Sequence, residues 1–153
     1  MTKTVLKNQI DNWLLAWQKA IASKDFDAGR KLFRDDAAGF GTVSLYTEGL
    51  DDLVESQWRP VWSRTAKFTF EKNKQHHRFS ADKTQCIVTS LWRSEGGEEG
   101  GPVRLRRGRA TILLEWHEPQ SAWLCVHTHF SMWPGSADID ILSKMSGACC
   151  DVK

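Results

Sequence analysis

Apolar residues recur at intervals of three and four over residues 4–23, which is the spacing of one face of an amphipathic α-helix. Asp25 then stands where an N-cap is expected, and the residues after it predict a short second helix over 26–33. A short strand with two glycines is predicted over 37–42. The apolar positions of the first helix are Val5, Leu6, Ile10, Trp13, Leu14, Trp17, Ala20 and Ile21.

A third helix is predicted to begin at Asp51 and Asp52, because acidic side chains are favoured in the first turn of a helix. Pro60 is expected to shorten or kink this helix, since proline lacks a backbone N–H. Its apolar positions are Leu53, Val54, Trp58, Val61 and Trp62. Alternating or β-branched runs downstream predict four long strands, at about 67–79, 84–93, 102–117 and 122–133.

The last two strands form a predicted hairpin, because Pro119 fixes a turn at 118–121 between them. Residues 94–101 are rich in glycine and glutamate and predict a flexible loop. Helices first and strands later indicate an α+β fold, with a strongly curved antiparallel sheet wrapped around the first and third helices. Such a cone leaves a cavity suited to a small ligand. We predict one domain over 1–135 and a tail over 136–153 that could form a short helix at 138–145.

The composition narrows the classes of partner. A chain of 153 residues with a formal net charge of +2 carries no general attraction for nucleic acid or membrane. No apolar stretch is long enough for a signal sequence or a membrane span, and the four cysteines form no C-x-x-C pair. A cytoplasmic protein with reduced cysteines and no cofactor is expected. Eight tryptophans are many for this length and favour pockets or interfaces as well as core.

Alternation along the last strand predicts two faces. One face is apolar and is expected to be core, with Ala122, Leu124, Val126, Thr128, Phe130 and Met132. The other mixes aromatic and polar residues and suits a pocket wall or a subunit interface, with Trp123, Cys125, His127, His129, Ser131 and Trp133.

The order of elements and several short strings together resemble the nuclear transport factor 2-like superfamily, and within it the SnoaL-like family. The final strand is also similar to the W-x-x-V-H-x-H strand of the calmodulin-dependent kinase II association domain. The strings span roughly residues 10–131. They are Trp17-Gln-Lys-Ala-Ile-Ala-Ser-Lys-Asp-Phe-Asp-Ala, Leu32-Phe-Arg-Asp-Asp-Ala, Phe40-Gly-Thr, Gly108-Arg-Ala-Thr and Trp123-Leu-Cys-Val-His-Thr-His-Phe-Ser.

This resemblance implies a cone-shaped, cystatin-like fold, a homodimer formed through the outer face of the sheet and a small-molecule pocket. It leaves function open, because members include isomerases, cyclases, dehydratases and oligomerisation hubs. Steroid isomerases of the superfamily use an aspartate base with a tyrosine and a second aspartate. The matching positions here are Gly41, Trp17, and Gly108 or Arg109, so that chemistry is not expected.

His127 and His129 lie two apart on a strand and so share a face. They could be structural at a dimer interface, or one could act as a general base in the pocket. A metal pair completed by His76, His77 or His117 is the least favoured alternative, since no acidic residue is spaced to complete the ligand set.

The arginines of the predicted strand over 102–117 divide by alternation. Arg107 and Arg109 fall on one face, and Arg104 and Arg106 on the other. We assign Arg107 and Arg109 as candidate clamps for an anionic ligand, with a solvated face or an interface as the alternative. Nucleic acid is not expected to be a partner, because the basic run is short and lacks interleaved aromatics.

Aromatic residues supply the remaining pocket candidates. Those spaced i, i+4 on the helices would normally be core, but in a cone the same face also lines the cavity. The candidates are Trp17, Phe40, Trp58, Trp62 and Trp92. We predict a small-molecule-binding protein that could be an isomerase, cyclase or dehydratase, with His127 or His129 as base. The alternative is a non-catalytic oligomerisation or ligand-sensing module.

Overall fold

The computed structural model describes residues 2–97 and 101–134. Helix α1 (Lys3–Ser23) confirms the first predicted helix, and its apolar face is buried in the core. The Thr2 hydroxyl caps it by accepting from the Val5 N–H at 3.3 Å. Lys24 ends it in the left-handed conformation, with φ 56°, and its N–H reaches the last carbonyls of the helix.

The second helix is shorter than predicted. Helix α2 spans only Phe26–Arg30, and strand β1 (Phe33–Phe40) begins where the helix was expected to continue. Asp35 and Asp36, just beyond the predicted end of the helix, are exposed within the strand. The reason is tertiary, because strand β1 joins the sheet and pairs with the final strand.

The third helix contains an irregular centre. Helix α3 (Leu50–Leu53) leads into a π-helical turn (Val54–Trp58) and then into helix α4 (Arg59–Trp62). Pro60 therefore does not end the helix, because it stands in the first turn of α4, where its missing N–H is tolerated. The π turn adds one residue to the helical path and buries Gln57.

Six strands form one open sheet in the order β2, β1, β6, β5, β4, β3. The predicted antiparallel pairing is correct except for β1 and β6, which run parallel. The predicted turn at Pro119 is a 3-10 turn (Glu118–Gln120) followed by Ser121 in the left-handed conformation, with φ 48°. The remaining strands are β2 (Thr47–Glu48), β3 (Thr65–Phe79), β4 (Gln85–Gly96), β5 (Arg104–His117) and β6 (Ala122–Met132).

Strand β6 departs from simple alternation. Leu113 pairs with His127, whereas the next residue, Leu114, pairs with Cys125, so Val126 forms a β-bulge. The predicted faces hold after the bulge, where Thr128 and Phe130 face the core. Before the bulge, Trp123 and Cys125 belong to the core although they were predicted to lie on the other face, while Leu124, predicted as core, is also buried. A one-residue insertion reverses which side chains face the core, because strand side chains alternate.

The helices pack on one face of the sheet, and the described residues share one hydrophobic core. None of the described helices is long and apolar enough to cross a bilayer. The helix predicted at 138–145, together with Cys149 and Cys150, lies outside the described residues. The predicted cytoplasmic location stays a prediction.

Candidate ligand-binding site

A narrow cavity of about 50 Å³ lies between the helices and the inner face of the sheet. Four predicted pocket residues meet there, namely Trp17, Trp58, Trp62 and Trp92. The Trp58 and Trp62 rings stack at 4.6 Å, and Trp17 stands 6.4 Å from Trp58. Helix spacing explains this meeting, because side chains four apart on one helix lie on the same face.

Three buried polar atoms belonging to cavity residues have no hydrogen-bond partner among the described residues. They are the Trp17 indole Nε1, the Gln57 side-chain oxygen and the Ser94 hydroxyl. Three other buried tryptophans are satisfied: the indole N–H groups of Trp13, Trp92 and Trp123 each have an acceptor, as Trp92 Nε1 donates to the Arg109 carbonyl at 3.2 Å. A buried polar atom without a partner costs about 1–3 kcal/mol. Three residues that line one cavity therefore carry unsatisfied buried polar atoms.

The π turn places Gln57 against the end of strand β1. Gly41 makes this possible, because a Cβ at that position would overlap the Gln57 amide. Gln57 and Ser94 were not among the predicted site residues. The sequence did hold a signal for each, since Ser94 lies two residues beyond Trp92 and Gln57 three residues beyond Val54.

Arg106 is the arginine that reaches the cavity. It is half-buried, and its guanidinium carbon lies 6.0 Å from the centre of the Trp92 ring. Burial lowers the pKa of Arg106, and the nearby positive charge of Arg64 lowers it further. On the neighbouring strand it pairs directly with Ser94.

The predicted clamp, Arg107 and Arg109, lies outside the cavity. Both side chains are exposed, and Arg109 Nε donates to the Ser131 hydroxyl at 3.3 Å. The predicted division of the arginines between two faces holds, but the cavity faces the other pair. Gly108 and Ala110 are buried, and alternation places Arg106 on the same face of strand β5 as these two residues. The small, uncharged residues at 108 and 110 were a signal in the sequence that this face is the inner one.

A wider space of about 580 Å³, which we call the vestibule, adjoins the cavity at Val61 and Arg106. Arg64 and Arg104 line it together with Arg106. Arg64 is anchored there, since its Nε donates to the Pro60 carbonyl at 3.0 Å. Among the described residues, the charged side chains that line the vestibule are therefore all basic.

His127, His129 and Phe40 lie together on the outer face of the sheet. The Phe40 ring is 6.0 Å from the His127 ring and 5.2 Å from the His129 ring. Burial lowers the pKa of His127, and His129 lowers it further. None of the three lines the cavity, so the predicted use of either histidine as a cavity base and of Phe40 as a pocket wall conflicts with this placement.

Other reactive groups offer little alternative chemistry. No three His, Cys, Asp or Glu side chains within residues 2–97 and 101–134 lie close enough together to hold a metal ion. Burial raises the pKa of the Cys86 thiol to about 12 and that of Cys125 well above its usual range, so neither thiol is a ready nucleophile.

A helix-covered six-stranded sheet with a cavity on its inner face defines the class of α+β, cystatin-like domains. The sequence matches the SnoaL-like domain over residues 10–134, and the chain therefore belongs to that family. No curated protein matches it.

Solved structures share the fold at low sequence identity. A nuclear transport factor 2-like superfamily protein from Salmonella enterica superposes with a TM-score of 0.74 at 15% identity, covering 90% of this chain and 99% of that one. A ketosteroid isomerase-like protein from Erwinia carotovora has a TM-score of 0.70 at 17% identity, with 82% and 94% covered. A protein with a cystatin-like fold from Caulobacter vibrioides has a TM-score of 0.69 at 15% identity, with 90% and 97% covered. These similarities establish the fold alone.

Proposed function

We propose that this SnoaL-like domain binds a small organic molecule whose inner end enters the tryptophan-lined cavity. The observation that carries the proposal is that Trp17, Gln57 and Ser94 all line one aromatic space, and that each has a buried polar atom without a partner among the described residues. An indole N–H, an amide oxygen and a hydroxyl together suit a ligand hydroxyl or carbonyl group.

The sizes of the two spaces limit how such a ligand sits. A cavity of about 50 Å³ admits only one end of a molecule, because pockets for drug-sized ligands are roughly 300–1,000 Å³. The vestibule, at about 580 Å³, has room for the remainder. A ligand spanning both spaces would pass between Val61 and Arg106.

Binding is favoured over proton-transfer catalysis. Among the described residues that line the cavity there is no carboxylate and no imidazole, and Arg106 is the one ionisable side chain. A general base must reach the proton that it removes, and an arginine stays protonated in proteins. An isomerase, cyclase or dehydratase would need its base from elsewhere.

Calorimetric titration with 2-naphthol tests the binding proposal. We expect saturable binding to the native protein, and about tenfold weaker binding to Ser94→Val, which removes the hydroxyl and fills part of the cavity. Thr89→Val is the matched control, because Thr89 is exposed on the other face of the same strand. Absence of saturable binding, or equal weakening by both substitutions, would contradict the proposal.

A homodimer through the outer face of the sheet is our second proposal. It is supported by exposed apolar side chains on that face, since Phe40 is 42% exposed and Ile87 is 45% exposed. Ile87 pairs with the half-buried Leu113 on the neighbouring strand. We expect a mass about twice the 17.4 kDa of one chain in light scattering. Ile87→Asp should yield monomers, whereas Val5→Asp, at a similarly exposed position on helix α1, should not. A monomeric native protein would overturn this proposal.

A further inference from the structure

We propose that the ligand is an aromatic acid, whose anionic group is held by Arg106 with Arg64 and Arg104 and whose ring enters the tryptophan-lined cavity. The inference rests on the proposed binding function and names the chemical class of its ligand. A carboxylate and a phosphate monoester share the required chemistry, since both present oxygens that an arginine fork can bind in pairs.

Arg106 lies at the junction of the cavity and the vestibule. Its side chain belongs to both spaces, so a group bound to it lies where the cavity opens into the vestibule. Gly96, on the neighbouring strand, leaves room for the methylene stem, because a Cβ there would stand 3.1 Å from the Arg106 Cδ. The guanidinium is thereby directed to the junction of the two spaces.

The positive charge of Arg106 is not balanced by an acidic side chain among the described residues. Half-buried arginines normally have an acidic partner, because burying an unpaired charge is unfavourable. Arg34 illustrates the usual arrangement, with Asp36 at 2.6 Å and Glu115 at 2.7 Å. Arg106 has no acidic partner within residues 2–97 and 101–134, although it is half-buried and near the positive charge of Arg64.

The vestibule as a whole likewise has an excess of positive charge among its described lining residues. Arg64, Arg104 and Arg106 line it, and no acidic side chain does so among the described residues. Glu98 and Glu99 lie outside those residues. Like charges gathered at one opening repel one another, so a bound anion would relieve this repulsion and gain hydrogen bonds at once.

The aromatic side chains that line the cavity determine which kind of group would be attached to the anionic group of the ligand. The Trp92 ring lies under Arg106, and Phe68 stacks 5.9 Å from Trp92. Flat apolar surfaces of this kind favour a ring, which can stack or meet them edge-on. Ser94 is the direct cross-strand partner of Arg106, and its buried hydroxyl has no hydrogen-bond partner among the described residues.

Calorimetric titration with naphthalene-2-carboxylate and the neutral naphthalene-2-carboxamide tests the inference. We expect the native protein to bind the carboxylate about tenfold or more tightly than the amide, since hydrogen bonds to charged groups are the stronger ones. Arg106→Gln should weaken carboxylate binding about tenfold to a hundredfold and leave amide binding within about twofold. Arg106→Lys should give an intermediate loss, because it keeps the charge without the fork.

Arg109→Gln is the matched control, because this exposed arginine lies on the other face of the same strand, and it should leave both affinities within about twofold. A third ligand, 2-naphthyl phosphate, distinguishes the two anions, and the tighter binder identifies the class. Equal native affinities for carboxylate and amide would overturn the inference while leaving the cavity proposal intact. Binding of none of these ligands would overturn both. Equal losses in Arg106→Gln and Arg109→Gln would show general charge attraction and would also overturn the inference.

Discussion

Trp58→Ala is expected to lower the free energy of unfolding by about 4 kcal/mol, the largest effect of any substitution proposed for this chain. Trp58 is 2% exposed and lies at the centre of the aromatic core. Its ring stands 4.9 Å from Phe33 and stacks on Trp62. Removing it takes away a large apolar surface and leaves a hole that the neighbouring rings cannot close.

Urea denaturation followed by far-ultraviolet circular dichroism measures this loss without relying on the removed fluorophore. The same substitution at Trp133, which is 45% exposed, is the control and should cost about 1 kcal/mol or less. A loss below about 1.5 kcal/mol for Trp58→Ala would show that the ring does not hold the helices on the sheet.

Gly108→Ala is expected to cost about 3 kcal/mol and to abolish ligand binding in the cavity. A Cβ at this position would overlap the Ser131 carbonyl oxygen and the Trp92 ring. The strand backbone cannot yield easily, and displacement of the ring would close the space beneath Arg106. Because both effects have one steric cause, stability and binding should fall together.

Thermal unfolding and naphthalene-2-carboxylate titration of the same variant check both parts of this expectation. Gly49→Ala provides the comparison, because a Cβ there would make only an ordinary contact, 3.8 Å from the Asp35 carbonyl oxygen, while the backbone has a φ of 88°. That variant should cost only about 1 kcal/mol, through backbone strain, and should keep ligand affinity. A Gly108→Ala protein as stable as the native one would refute the steric explanation.

Local periodicity explains why the helices and long strands could be predicted. The spacing of Trp13 and Trp17, and of Trp58 and Trp62, places each pair on one helix face whatever the rest of the chain does. The apolar face of each helix must pack against the more apolar face of the strands that follow. The tryptophans on that helix face therefore line the space between helices and sheet.

Features that depend on pairing between distant strands escaped prediction. The end of helix α2 is set by strand β1 joining β6, with the Cys125 N–H donating to the Leu32 carbonyl at 2.8 Å. The bulge at Val126 is set by the register of β5 against β6. No local pattern encodes either one, because both arise from contacts between residues far apart in sequence.

The choice among the arginines depended on a different feature, namely which face of strand β5 turns toward the helices. Alternation separated Arg106 from Arg107 correctly, but which face turned toward the helices depended on the row of Gly108 and Ala110. Glycine and alanine give that row little apolar character, so local pattern does not mark it as the inner face. Arg106 is half-buried and has no acidic partner among the described residues, and neither property can be inferred from local alternation.

The π turn at Val54–Trp58 has a consequence for how this domain could diverge. In a regular α-helix, one inserted residue would turn everything downstream by about 100°. A π turn absorbs the extra residue within a single turn, so deletion of one residue there would restore an α-helical turn and leave Val61 and Trp62 on the same face. Related chains could therefore gain or lose this residue and keep the tryptophan wall, while changing which side chain stands at the position of Gln57.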